Sequence, residues 1–153
     1  MNNYVNTLYQ IRLLETQEEC EEFDQLLEIL DNEQNFDLKD LFMVFDENTL
    51  EEEVMFGLVH YVESFEAEDY LRSLLDSLIN IPSHSIYWIE ILLKRILNND
   101  EYKKTLISIL GSQDERIDFQ LKSILQSVQE DNPARFSSPV DEVLTKLNGN
   151  LEK

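Results

Sequence analysis

The sequence predicts an all-α domain, and three observations carry that expectation. Glycine and proline are scarce, three of each in 153 residues, which leaves few of the tight turns a hairpin-rich β fold needs. Apolar residues recur at helical spacing along nearly the whole chain. Hydroxyl or acidic residues suited to capping stand just ahead of several of those stripes. A hydrophobic content of 42% over this length fits a single domain, 1–153, with a sizeable core.

The elements follow in order. Tyr4, Val5, Leu8 and Ile11 share helical spacing within residues 3–14. Thr16 opens a second helix, with Glu19 closing a capping box. Its apolar stripe is Phe23, Leu26, Leu27 and Leu30, with Glu18, Glu21, Glu22 and Glu28 elsewhere. Asp37 caps a short helix, Leu38 to Val44. Thr49 and Glu52 form a capping box for the next helix, whose run from Val54 to Val62 is broken only by Gly57 and His60. "AEDYLRSLLDSLINIP" reads as a helix stopped by Pro82, with Tyr70, Leu71, Leu74, Leu75 and Leu78 inward. Ser83 or Ser85 opens "SIYWIEILLKRILNND", striped by Ile89, Leu92, Leu93, Ile96 and Leu97. "DEYKKTLISILG" ends on Gly111, at a position where a positive φ is expected. Ser112 and Glu115 box the start of a helix carrying Ile117, Leu121, Ile124, Leu125 and Val128. "NPARFSSP" reads as a loop, after which Pro139 begins a last helix ending at Gly149. Eight or nine helices with short joints predict an irregular stack of antiparallel helical hairpins, HEAT- or solenoid-like.

The charge is uneven. There are 32 acids against 12 Lys and Arg, a net −20. Residues 1–69 hold 20 of the acids and only Arg12 and Lys39, a net −18, while residues 70–153 carry a net −2. Such a first half repels a phosphate backbone and disfavours direct nucleic-acid binding. It suits a basic protein partner, because opposite fields steer association. The same acids also serve solubility alone. A lone cysteine, Cys20, excludes an internal disulfide and fits a reducing compartment. No signal peptide or bilayer-length apolar run is visible, so the expected location is the cytoplasm, with no membrane contact.

Catalytic chemistry finds little footing. Cys20 sits among Glu18, Glu19, Glu21 and Glu22, which suppress its thiolate. There is no phosphate loop and no nucleophile elbow. His60 and Glu63 share a helical face but occur once and in the wrong order for a di-iron pair. "DEN", 46–48, lacks the rest of a calcium loop. No enzyme activity, cofactor or metal is expected. His60 lies in a run apolar nearly all round, which places it in a buried polar network with Glu63, Trp88 and Arg95. Gly57 is expected to admit a close helix approach, and Trp88 to be buried. Glu51, Glu52 and Glu53 suit the positive end of a helix dipole. That accounts for one or two of the five acids in 46–53; a solvated face and a binding surface both account for the rest.

The stretch Glu53-Val54-Met55-Phe56-Gly57-Leu58, then His60, Glu63, Trp88 and Arg95-Ile96-Leu97-Asn98, is similar to the immunity protein 30 family of bacterial polymorphic toxin (contact-dependent inhibition type) systems. The similarity covers roughly 15–130. Glu47 stands where that pattern often has a second Asp. The resemblance implies a non-enzymatic protein that binds and blocks a cognate toxin. It carries over no contact residues. From charge alone the toxin is expected to be a nuclease with a basic cleft, occluded by an exposed acidic surface at Asp46, Glu47, Glu51 and Glu52. Two other readings remain open: a helical-repeat scaffold without a toxin partner, and a small hydrolase using His60 and Glu63.

Overall fold

A computed structural model describes residues 2–111 and 113–151, and of 150 and 151 the backbone alone. The described residues form eight α-helices: α1 Asn3–Gln10, α2 Gln17–Glu33, α3 Glu52–Glu63, α4 Ala67–Ser77, α5 Ile86–Leu97, α6 Asp100–Ile109, α7 Glu115–Asp131 and α8 Pro133–Leu151. A six-residue 3-10 helix, Leu38–Met43, lies between α2 and α3, and shorter 3-10 turns occupy Leu78–Asn80 and Ser83–Ser85. No strand occurs among the described residues. The all-α expectation holds.

Several helix starts follow the sequence. Thr16 accepts from the Glu19 amide at 3.1 Å, and Glu19 reaches back to the Glu15 amide at 2.9 Å. Asp37 accepts from the Lys39 amide and so caps the 3-10 helix. Thr16 and Asp37 each satisfy an amide that the first helical turn would otherwise leave unpaired.

Other ends differ from expectation. Thr49 caps nothing: α3 begins at Glu52 after Glu51, and the buried Thr49 hydroxyl has no partner. Gly111 has no positive φ. The left-handed positions are instead Leu14, at φ 51°, and Gln34, at φ 50°. Gln34 ends α2 by donating its amide to Leu30 O, and Leu14 is held by burial in the joint between α1 and α2. The Ser112 capping box lies outside the described residues. The cap of α7 is Asp114, whose carboxylate accepts from the Arg116 amide at 2.8 Å. Hydrogen bonds from the Arg116 side chain and backbone pull that carboxyl down to about 2.

"NPARFSSP" is not a loop. Pro133 takes the first helical position, where its missing N–H costs nothing. Asn132 accepts from the Arg135 amide just ahead of it. Pro139 then lies inside α8, at a cost of about 3 kcal/mol. Phe136, Val140, Val143 and Leu147 bury one face of α8, each worth about 1.5–3 kcal/mol, so burial outweighs the proline.

Packing follows chain order along much of the molecule. α1 packs on α2, α2 on α3, and α7 along α8, while α5 reaches α6, α7 and α8. One core joins every helix. The hairpin pattern breaks at α2 and α3. Glu51 is close enough to raise the Cys20 thiol, a Cβ on Gly57 would sit 3.7 Å from Asp24, and Asp31 acts on Tyr61. Phe36, just past α2, meets Tyr61 and Phe65. These contacts advance along both helices in the same direction, so α2 and α3 are parallel. Residues 34–51, with their 3-10 helix, carry the chain back to make that possible.

Candidate functional site

The turn between the 3-10 helix and α3 is built around Asp46. The sequence reading placed Asp46 on the surface. It is 2% exposed. One carboxylate oxygen accepts from Arg12 Nε at 2.9 Å and lies 3.4 Å from His84 Nδ1. The other accepts from the Asn48 amide at 2.8 Å. Trp88 Nε1 donates to the Asp46 carbonyl at 2.9 Å, and the Glu47 amide donates to His84 O. Nδ1 of His84 is also 3.0 Å from Phe45 O. The Ser85 hydroxyl lies 3.4 Å from the same nitrogen. The exposure expectation fails because a buried carboxylate needs a cation and donors, and Arg12, just past α1, and residues 84–88, far away in sequence, supply them.

This frame holds the following residues outward. Glu47, Asn48, Leu50, Glu51 and Glu52 are exposed, Leu50 by 68%. Leu50 is still fixed through its backbone, because its amide donates to Leu13 O at 2.9 Å. Glu51 stands beside Cys20 of α2, so the N-terminal ends of two parallel helices meet here. Both have acids in their first turns, Glu18 and Glu19 in α2, Glu52 and Glu53 in α3. The dipoles favour negative charge at that end. From there the acids continue down α2 through Asp24, Glu28 and Asp31. Desolvation, and then the neighbouring Glu28, push the Asp24 carboxyl above its ordinary range.

Few of these charges are neutralised within the chain. Arg12 is taken by Asp46 and Lys39 by Asp37. Glu63 pairs with Arg95 and Glu68 with Arg72. The other sixteen of the twenty acids in residues 1–69 make no ion pair among the described residues.

A groove of about 520 Å³ runs between α2 and α3, lined by Leu27, Glu28, Asp31, Gly57, His60 and Tyr61, with Ser64 at its end. Gly57 is not there for a close approach, since an added Cβ would find only ordinary contacts at 3.7 and 3.9 Å. Burial and Asp31 push the Tyr61 hydroxyl up to about 12.

His60 is on the surface, with 68% of its side chain exposed. The inward face of α3 is Met55, Leu58, Val59 and Val62, and position 60 points away from it. The proposed core network reduces to one ion pair. Arg95 donates twice to Glu63, each bond at 2.8 Å, while His60 Nδ1 is 4.0 Å from that carboxylate. Trp88 is buried as expected, but its partner is Asp46. We expect His60→Ala to change stability by no more than about 0.5 kcal/mol; a larger drop in a thermal melt would contradict the exposed placement.

Burial, and then Glu51, Asp24 and Glu19, raise the Cys20 thiol. A thiol so placed stays protonated at neutral pH and is a poor nucleophile. Among the described residues no three His, Cys, Asp or Glu side chains gather as a metal site would require, and no helix is long and apolar enough to cross a membrane.

A family model described as immunity protein 30 matches residues 10–106, from the end of α1 into α6. No curated protein and no solved structure gives a significant match.

Proposed function

The chain belongs to the immunity protein 30 family, and on that premise we propose that it binds a cognate bacterial toxin of the polymorphic, contact-dependent type and blocks it by covering the toxin's active site. The observation that supports an acidic interface is the surplus left after internal pairing: sixteen acids in residues 1–69 with no ion pair among the described residues. A partner with a basic cleft supplies those cations. A nuclease has such a cleft, so the acids would stand where phosphates otherwise lie. Inhibition of this kind needs no chemistry from the inhibitor, and the reading is of a non-enzymatic, cytoplasmic protein.

The contact residues in this reading are Glu47, Glu51 and Glu52, which are exposed on a turn fixed from beneath. Asp46 serves as their foundation. A turn already ordered in the free protein loses little entropy on docking. Exposed Leu50, among these acids, offers an apolar anchor inside a charged rim.

The test is association with the cognate toxin domain, obtained by co-purification, at two salt concentrations. Reversal of Glu47, Glu51 and Glu52 to Lys should slow association about tenfold or more at low salt, and raising the salt should narrow the gap. Reversal of Glu130, Asp131 and Asp141 should have little effect. Equal rates for parent and both variants, with no salt dependence, would sink the acidic interface.

A further inference from the structure

We propose that the groove at α7 and α8 is a self-association surface through which two copies of this chain pair. The groove encloses about 660 Å³ and lies between α7, the end of α8 and the 3-10 turn after α4. Ile79, Phe119 and Leu147 supply its apolar lining. Phe119 is 75% exposed, the most exposed large apolar side chain among the described residues. A single exposed leucine is ordinary, but a benzyl group standing at the lip of an apolar groove is a ligand beside its own receptor. A twofold axis would set each Phe119 in the other copy's groove, as an isologous interface requires.

Charge selects a second copy as the occupant. The lining also contains Glu115, Arg116, Asp118 and Lys122, two acids and two bases. Arg116 is held by Asp114 of its own chain at 2.8 Å, but a rim of both signs remains self-complementary under a twofold axis, because Lys122 can face Glu115 or Asp118 of the other copy. The acidic first half of the chain cannot pair with itself in this way. Residues 1–69 carry a net −18 and repel their own copy, whereas residues 70–153 carry −2. The near-neutral half is therefore the side on which two such chains can approach. Pairing there leaves the acidic turn at Glu47 to Glu52 free.

The experiment is molecular mass by light scattering and sedimentation, over about 1 μM to 1 mM protein, the range that resolves weak to moderate dissociation constants. The parent mass should rise from 18.1 kDa toward twice that value. Phe119→Glu should remain at the single-chain mass throughout, with unchanged circular dichroism, because the side chain is exposed in the single chain. Phe119→Leu should retain part of the pairing. Leu50→Glu, which alters an exposed apolar side chain in the acidic half, should pair like the parent. A parent that stays at the single-chain mass would overturn the proposal. So would a Phe119→Glu variant that pairs normally, or pairing abolished by Leu50→Glu. None of these readouts involves a toxin, so this inference and the proposed function fail separately.

Discussion

Replacing Trp88 by alanine is expected to produce the largest loss of stability of any substitution considered, about 3–5 kcal/mol. Trp88 is 1% exposed and packs its ring on Phe45 and Phe56, with centroids 5.9 and 5.1 Å away. Truncation opens a cavity between α5, α3 and the turn before α3, and it removes the indole donor from the Asp46 carbonyl. Trp88→Phe separates the two effects. It keeps much of the packing and forfeits the hydrogen bond, so the expected cost is nearer 1–2 kcal/mol. Urea unfolding followed by circular dichroism would measure both. An alanine variant within about 0.5 kcal/mol of the parent would contradict the buried placement.

The second large effect is expected at Asp46. Asp46→Ala removes the partner of the Arg12 guanidinium and the acceptor of the Asn48 amide together. Breaking a buried pair from one side typically costs about 3–5 kcal/mol. The lower end applies here, because Arg12 retains 21% side-chain exposure, donates to Tyr9 O and stacks on the Tyr9 ring at 4.1 Å. Asp46→Asn keeps an oxygen for Asn48 and should cost about half as much. Chemical denaturation gives the comparison. Should the alanine variant be as stable as the parent, Asp46 would be the free surface acid that the sequence suggested.

That suggestion shows where sequence reasoning stops. The stripes of α2, α5 and α7 are legible because each residue's environment is set by neighbours three and four positions away. Phe23, Leu92 and Leu121 are all buried as their spacing requires. Thr16 and Asp37 are legible because a cap binds within its own turn. Asp46 is illegible because its partners lie 34 and 38–42 positions distant, and "FDENT" alone has the composition of a surface turn. His60 was misplaced for the opposite reason. An apolar run longer than two turns suggests burial all round, yet Phe56, Gly57 and Tyr61 are only half-buried and His60 points out with them. The start of α8 was hidden by two prolines and two serines whose local preferences are overridden by Phe136 and Val140 in the core. The family outline was readable through Glu53 to Leu58 and Arg95 to Asn98, and these turn out to be scaffold more than surface: the Glu63–Arg95 pair joins α3 to α5, and Met55 and Ile96 are core.

The Asp46 turn also determines what can be taken out of this protein. Its acids belong to the first half of the chain, but beside Arg12 and Leu13 three of the groups holding it belong to residues 84–88. Phe45 O accepts from Ser85 Oγ at 2.8 Å, Asp46 O from Trp88, and the Glu47 amide finds His84 O. A fragment ending at Pro82 would retain all 20 acids of residues 1–69 and lose all three supports. The acidic surface is therefore not a transplantable module. A chimera that moves its specificity to another helical protein must carry residues 84–88 with it.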